Sequence, residues 1–524
     1  MPATRRKPAF VSHALRRSNG FVRALVLAGL FLLPVACRRE HHPRRPAGHL
    51  VIAVQDDGRT LDPHEAVTAA SMRLIENMYS TLLRYGRRYG EVEPDLAEHY
   101  DVTPDGLSYS FQLRPARFHS GRAIAADDVV YSLRRIGERL SRADHVEAID
   151  RVDTPDPLKV VIHLRRPFAP FLVHLAHPMN AIVDRGVVEA SGGSLRNTDA
   201  GSGPFKLVEW RRGRRLVLER FDDYHRAGQP LLRRVTFRPI SDETARSIAL
   251  RRGEVDLILD VAEKDLHLLE QSPHVHVGAA RPGTFWEYLG FNTRRTPFAD
   301  TRVRQAIAWA LDRGLLNRIV KLGRATILDG GHIRPDYWAH ADLSIYPAPD
   351  HDRARRLLRA AGYPQGFSAT LKVGSAFRYQ VDAAQAVKQQ LHAIGIDVHL
   401  QAMESSLFFD ALARGDFDMT LVGWVGFVDP DEWTYDIFHS TGRFNQQGYA
   451  NPIVDDLLVR GRRTMGQDDR RKIYREVQRL IAEDAPMAFL YLNDQTSAWL
   501  NGVKGYMVHP TATTLSLRQT WVER

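Results

Sequence analysis

The stretch VGWVGFVDPDEW, Val422 to Trp433, places aromatic rings beside a run of acids. Trp424 and Phe427 stand among glycines, and Asp429, Pro430, Asp431 and Glu432 follow at once. Two chemistries are open to such a stretch. Clustered carboxylates suit a cation, above all a buried ammonium, which needs a charged, hydrogen-bonded partner once water is gone. Rings suit an apolar ligand or one with a flat face.

Reaction chemistry finds no comparable foothold. The chain has no HExxH, no G-x-S-x-G, no phosphate loop and no G-x-G-x-x-G. AGSGPF (200–205) has the wrong glycine spacing for a nucleophile elbow and reads as a turn before a strand. Carboxylates are plentiful, but nothing in the sequence pairs two of them for acid–base work. The 22 histidines include His41 and His42 near the N-terminus, His174 and His177 in LVHLAHP, and His332 and His340 around Pro335. None shows ligand spacing with cysteine or carboxylate support, so neither a metal nor another cofactor is expected.

The elements that must position VGWVGFVDPDEW are legible around it. Strand ATLKVG (369–374), helix 383–394, strand IDVHLQAM (396–403), helix 406–414 and strand FDMTLVGWV (417–425) alternate, which implies parallel pairing through right-handed crossovers. Met419 to Val425 is nearly continuous in apolar residues, as in a central strand buried on both faces. The acids then form a turn just beyond that strand's carboxyl end, where open α/β sheets bind ligands. Upstream, Asp300 or Thr301 caps a helix with the apolar face Val303, Ala306, Ile307, Ala310 and Leu311, stopping by Gly323. The first half is α/β with antiparallel hairpins: LVIAVQ near residue 50, LSYSFQL (107–113), a helix over 126–140, LKVVIHL (158–164), further strands near 205–221 and 233–239, and VDLILD (255–260). A chain of 524 residues exceeds one ordinary core, so two or more lobes are expected.

The N-terminus reads as an export signal. A basic segment precedes the uncharged run ALVLAGLFLLPVA, Ala24 to Ala36, which is short for a bilayer span. The single cysteine, Cys37, follows directly and excludes an internal disulfide. Arg38 to Gly48 has no apolar period and reads as a tether. The formal charge is +10, of which the first 36 residues supply six basic groups and no acid. The mild surplus left on so large a body argues against a nucleic-acid partner.

Taken in order, several segments resemble the bacterial extracellular solute-binding proteins of family 5, the dipeptide, oligopeptide and nickel group that serves ABC importers. They are TLDPH (60–64), PDLAEHYDVTPDGLSYSFQLRPARFHSG (94–121), AADDVVYSLRRI (125–136), GSGPFKL with DDYHRAGQPLL (222–232), GEVDL (253–257), FNTRRTPFADTRVRQAIAWALDR (291–313), DRARRLLRAAGY (352–363), LHAIGIDVHL (391–400) and GDFDMTLVGW (415–424). The likeness spans about residues 50–510. It implies a two-lobed periplasmic-binding-protein-like α/β fold of class II, cluster C. Residues 49–75, 196–289 and 493–524 would build the first lobe, 76–195 a subdomain inserted in it, and 290–492 the second lobe, with a hinge near 285–290 and 490–495. LPVAC resembles a lipobox with Pro34 where leucine is usual, implying a signal peptide over 1–36 and a lipidated Cys37.

The resemblance also implies a non-catalytic monomer, anchored to a membrane on its extracytoplasmic side, that captures peptides and hands them to permease subunits. Nickel complexes, haem and oligosaccharides are the alternative cargoes. A secreted hydrolase or a regulator built on this domain is the reading from another class. In peptide-binding relatives an aspartate three residues after the tryptophan pairs with the peptide ammonium. Here Trp424 is followed at that spacing by Phe427, leaving Asp429 or Asp431 to reach the ammonium. GTFWEYLGFN (283–292) resembles the hinge-side strand that lines the pocket. Alternation sends Phe285 and Glu287 to one face and Trp286 and Tyr288 to the other. Trp424, Phe427, Asp429, Asp431, Phe285, Trp286 and Glu287 are thus the expected ligand-binding residues.

Overall fold

The computed structural model describes residues 46–139, 143–376, 378–426 and 428–523. The expected signal peptide, Cys37 and most of the tether lie outside the described residues, as does Phe427. Among the described residues, no helix is long and apolar enough to cross a membrane.

Two large mixed sheets carry the architecture. In the first, seven strands run in the spatial order Val275–Ala280, Gln495–Leu500, Leu257–Leu259, His49–Val54, Arg234–Pro239, Arg215–Arg220 and Phe205–Arg211. His49–Val54 pairs in parallel with neighbours on both sides. Its near-continuous apolar sequence follows from that central place. Leu50, Ile52 and Val54 enter one core layer, while Val51 and Ala53 enter the layer on the opposite face.

The second sheet orders its six strands Thr326–Ile327, Met487–Leu492, Phe285–Phe291, Met419–Val425, Phe367–Gly374 and Ile396–Met403. The last three are mutually parallel, as the alternating pattern requires, but Met419–Val425 is antiparallel to Phe285–Phe291. Met419 and Leu421 point into one core layer and Val422 into the other. A four-stranded antiparallel sheet, Ala97–Val102, Ser108–Leu113, Lys159–Leu164 and Ile149–Asp156, has a core of its own with the helix Ala126–Gly137.

The expected helix from residue 301 breaks into Thr301–Ala310 and Arg313–Val320. Asp312 causes the break, because its carboxylate accepts the Leu315 N–H at 2.7 Å and starts a new helix well before Gly323.

The chain passes between the two large sheets twice, over 281–284 and 493–494. The two crossings lie side by side. Gly283 N–H donates to the Asn493 carbonyl at 2.9 Å and Asn493 N–H to the Phe285 carbonyl at 2.8 Å. A Cβ on Gly283 would stand 2.6 Å from the Asn493 carbonyl oxygen, so only glycine permits this approach.

Candidate ligand-binding site

VGWVGFVDPDEW, Val422 to Trp433, begins in the last residues of Met419–Val425 and runs past that strand's carboxyl end. Its register opposite Phe285–Phe291 sets Trp424 beside Trp286 and Val425 beside Phe285. Two of its glycines are there for rings. A Cβ on Gly423 would meet the Phe285 ring at 2.2 Å, and one on Gly426 the Trp433 ring at 1.9 Å. Gly426 N–H donates to the Thr284 carbonyl at 2.9 Å, and Thr284 N–H donates to the Pro510 carbonyl at 3.2 Å. The strand end is thereby fastened to the crossing and to the C-terminal segment.

The acids start a helix, where the sequence suggests a turn. Pro430–Phe438 is helical, with Asp429 at its N-cap accepting the Asp431 N–H at 2.9 Å and proline in the first turn. Glu432 accepts the Asp429 and Val428 N–H groups at 3.0 and 2.8 Å, the reciprocal half of a capping box. Burial pushes the Glu432 carboxyl up to about 8 against those two hydrogen bonds.

The expectation that Asp429 or Asp431 meets a ligand ammonium runs into partners the sequence does not reveal. Asp429 is 4% exposed, and Arg470 donates to it twice, at 2.9 and 2.6 Å. Asp431 is 2% exposed and takes three hydrogen bonds from Arg462, at 2.9, 3.1 and 2.9 Å. Both acids arrive at the site already neutralised.

The face of Phe285–Phe291 follows the same logic. Trp286 is fully buried among Tyr288, His332, Phe438 and Phe489, with ring centroids 5.0 to 6.5 Å away. Burial drives the His332 imidazole down to about 3, so it is a neutral core residue. Glu287 is fully buried too, 3.0 Å from Lys321 Nζ and accepting Asn493 Nδ2 at 2.8 Å. Phe285 remains partly exposed over Gly423. Trp424 is also partly exposed, its ring 4.8 Å from Phe444 and its N–H donating to the Glu432 carbonyl at 3.3 Å. The structure therefore keeps Trp424 and Phe285 at the surface of the strand end and withdraws Trp286, Glu287, Asp429 and Asp431 into its foundations.

Contacts from segments distant in sequence converge here. Val428, between Phe427 and the cap, sits 1% exposed in the core of the four-stranded sheet. Its carbonyl accepts the Tyr337 hydroxyl. Tyr89 lies 5.1 Å from the Tyr337 ring and carries the Arg334 guanidinium 4.2 Å over its face. Ala169 N–H donates to the Arg462 carbonyl at 2.7 Å. Nearer the crossings, Lys321 also stands 3.5 Å from Glu263, Arg324 forks onto Glu270 at 3.0 and 3.1 Å, and Arg281 meets Asp494 at 3.0 Å. Burial raises the Asp494 carboxyl to about 6, opposed by Arg281 and Arg324. These pairs span more than fifty residues or join loops without pattern, so no spacing in the sequence announces them.

His174 stacks on His145 at 3.9 Å inside the subdomain, and burial lowers its pKa. Among the described residues no group of three or more His, Cys, Asp or Glu could hold a metal ion.

Two lobes on separate sheets, joined by paired crossings with a ring-lined strand end between them, define a periplasmic-binding-protein-like fold. The chain belongs to the bacterial extracellular solute-binding proteins, family 5, whose middle-region model matches residues 91–446. It is 29% identical over 504 residues to the glutathione-binding protein GsiB of Pectobacterium atrosepticum, covering 93% of this chain and 96% of that one. The Escherichia coli K12 GsiB is 28% identical over 503 residues, covering 93% and 97%. The structure of AgaA from A. tumefaciens R10 in complex with agropinic acid superposes with a TM-score of 0.82 at 30% identity, covering 91% of this chain and 99% of that one. DppA from Helicobacter pylori in complex with the peptide STSA gives 0.82 at 26%, covering 91% and 98%. This is therefore a substrate-binding protein of the ABC-importer class, and its family and fold are those of non-catalytic solute-binding proteins.

Proposed function

We propose that the protein captures a small peptide between its lobes, closes on it and presents the closed form to a membrane permease. Family membership carries this reading, supported by the glutathione named for GsiB and the peptide held by the Helicobacter pylori DppA. In this proposal residues 49–75, 196–289 and 493–524 act as one lobe, 76–195 as its inserted subdomain and 290–492 as the other lobe. The hinge lies near 285–290 and 490–495, where the crossings at 281–284 and 493–494 meet the second sheet. Closure strengthens each polar contact by excluding water. Trp424, Phe427 and Phe285 are the ligand-contacting residues of this proposal. Cleavage before Cys37 and its lipidation hold the monomer at the outer face of a membrane.

A second reading is a non-peptide solute. It is favoured by the engagement of Asp429 and Asp431 with arginines and by the agropinic acid bound to AgaA at 30% identity. Mass spectrometry of whatever copurifies with the exported chain decides between them. An amino-acid-derived ligand, together with thermal stabilisation by di- and tripeptides that Trp424→Ala abolishes, supports the first. A ligand without a peptide bond, and no stabilisation by any peptide tried, refutes it.

A further inference from the structure

Away from the ring-lined strand end, a second set of polar groups faces a small, partly open cavity. The hairpin made by Leu83–Tyr85 and Val92–Pro94 leaves a cavity of about 40 Å³ against the C-terminal segment 505–519. That is roughly three times the ~10–15 Å³ one water needs. Arg84, Arg87 and Arg518 line it, with Glu93 as the one carboxylate.

The charges there are incompletely matched. Arg84 gives Nε and Nη2 to the same Glu93 oxygen, at 3.3 and 3.0 Å, and its Nη1 is buried without a partner. Burial and then the Arg518 charge lower the Arg84 pKa, which is the mark of cations facing one another. Arg518 is 6% exposed, and its donors go to neutral oxygens, the Leu515 carbonyl at 3.0 Å and the Tyr224 hydroxyl at 3.5 Å. Asp95, behind the hairpin, is held by His225 at 3.3 Å and Arg226 at 3.6 Å, and its charge also offsets part of that on Arg84 and Arg518.

Two neutral donors join them. His509 is 6% exposed; its Nδ1 stands 2.6 Å from the Thr511 hydroxyl and accepts the Thr511 N–H at 3.3 Å. Burial holds its imidazole down at about 4, so at neutral pH that tautomer carries the proton on Nε2. His509 Nε2 and the hydroxyl of Thr513, itself 2% exposed, are both buried with no partner. Buried donors without acceptors are uncommon and call for a bound group.

We propose that this cavity binds a compact oxyanion, a carboxylate or phosphate-like group, held by Arg84, Arg518, His509 and Thr513. An oxyanion supplies several acceptor lone pairs in a small volume and cancels the surplus of guanidinium charge. Its source is either a free inorganic ion or the carboxylate of a ligand reaching in from between the lobes.

The test titrates the exported full-length chain with sodium phosphate and sodium sulfate at constant ionic strength, against chloride, by calorimetry and thermal shift. A parallel arm compares Ala-Ala with its C-terminal amide. Saturable binding of phosphate or sulfate, weakened at least tenfold in Arg84→Gln and in Thr513→Val, establishes a free-ion site whatever the cleft binds. A tenfold loss on amidation in the wild type that vanishes in Arg84→Gln assigns the site to a ligand carboxylate. Thr513→Val keeps the side-chain volume, so it remains informative if an arginine variant misfolds. The proposal is overturned if neither oxyanion binds better than chloride and amidation has no effect. It is equally overturned if both variants bind as the wild type does.

Discussion

Replacing Asp429 by alanine separates a structural acid from a ligand anchor. The carboxylate has two duties in the structure: it caps the helix Pro430–Phe438 and neutralises Arg470, whose side chain is 7% exposed. Removing one partner of a buried pair costs about 3–5 kcal/mol, because the other charge stays behind uncompensated. Loss of an N-cap costs about 1 kcal/mol more. For a folding unit of about 200 residues, a loss of some 4 kcal/mol lowers the Tm by about 10 °C. Differential scanning calorimetry of the ligand-free protein reads this directly. Asp429→Ala with Arg470→Met should recover much of the loss, since the orphaned guanidinium is then gone. N-acetylation of a bound peptide should leave its affinity for the wild type unchanged, because the acid is already spoken for. If Asp429→Ala leaves the ligand-free Tm unmoved while acetylation abolishes peptide binding, the reasoning is wrong and the acid serves the ligand.

Three further outcomes follow from the buried charges. Burial raises Glu76 to about 7 and Glu432 to about 8, above the ordinary unfolded value near 4.3. Acids whose folded pKa is raised stabilise the fold fully below the unfolded value and lose that contribution as pH rises through the folded one. The Tm should therefore fall between about pH 5 and 8.5, and Glu76→Gln with Glu432→Gln should flatten the profile; an unchanged slope by scanning fluorimetry counts against it. Lys321→Met strands Glu287 and should cost about 3–5 kcal/mol in chemical denaturation, largely restored by adding Glu287→Gln. Arg324→Ala should cost under about 1 kcal/mol, since its pair with Glu270 is partly exposed. It should nonetheless enlarge the radius of gyration of the ligand-free protein in solution scattering if that fork holds the lobes together.

Periodicity carried the sheets because burial on both faces writes itself into composition. Met419–Val425 and His49–Val54 are nearly continuous in apolar residues, and both proved central. The run of acids at 429–432 was equally visible, yet its meaning was not. Asp429 finds Arg470 and Asp431 finds Arg462, each more than thirty residues away on other helices. Likewise, alternation sorted Phe285 and Glu287 from Trp286 and Tyr288, but not which face is filled by packing. Trp286 is enclosed because Phe438 and Phe489 arrive from distant segments. Contacts of this kind depend on three-dimensional closure and leave no local spacing behind.

This has a consequence for selectivity. An ammonium that captured Asp429 would leave Arg470 buried and unpaired, so the exchange would forfeit about as much as it gained. Asp431 and Arg462 impose the same balance, and Arg462 is further held by the Tyr435 ring 3.2 Å from its guanidinium. Both acids are then better understood as fixing the geometry of the strand end than as reading a charge. They anchor the helix start, the helix start seats Trp433, and Trp433 receives Gly426. What that foundation presents at the strand end is the partly exposed ring of Trp424 on one face of the sheet and that of Phe285, over Gly423, on the other. Exposed rings suit shape and apolar surface rather than charge. In the oxyanion proposal, discrimination by charge falls instead to the unpartnered donors of Arg84, His509 and Thr513, which suit an anion rather than a cation.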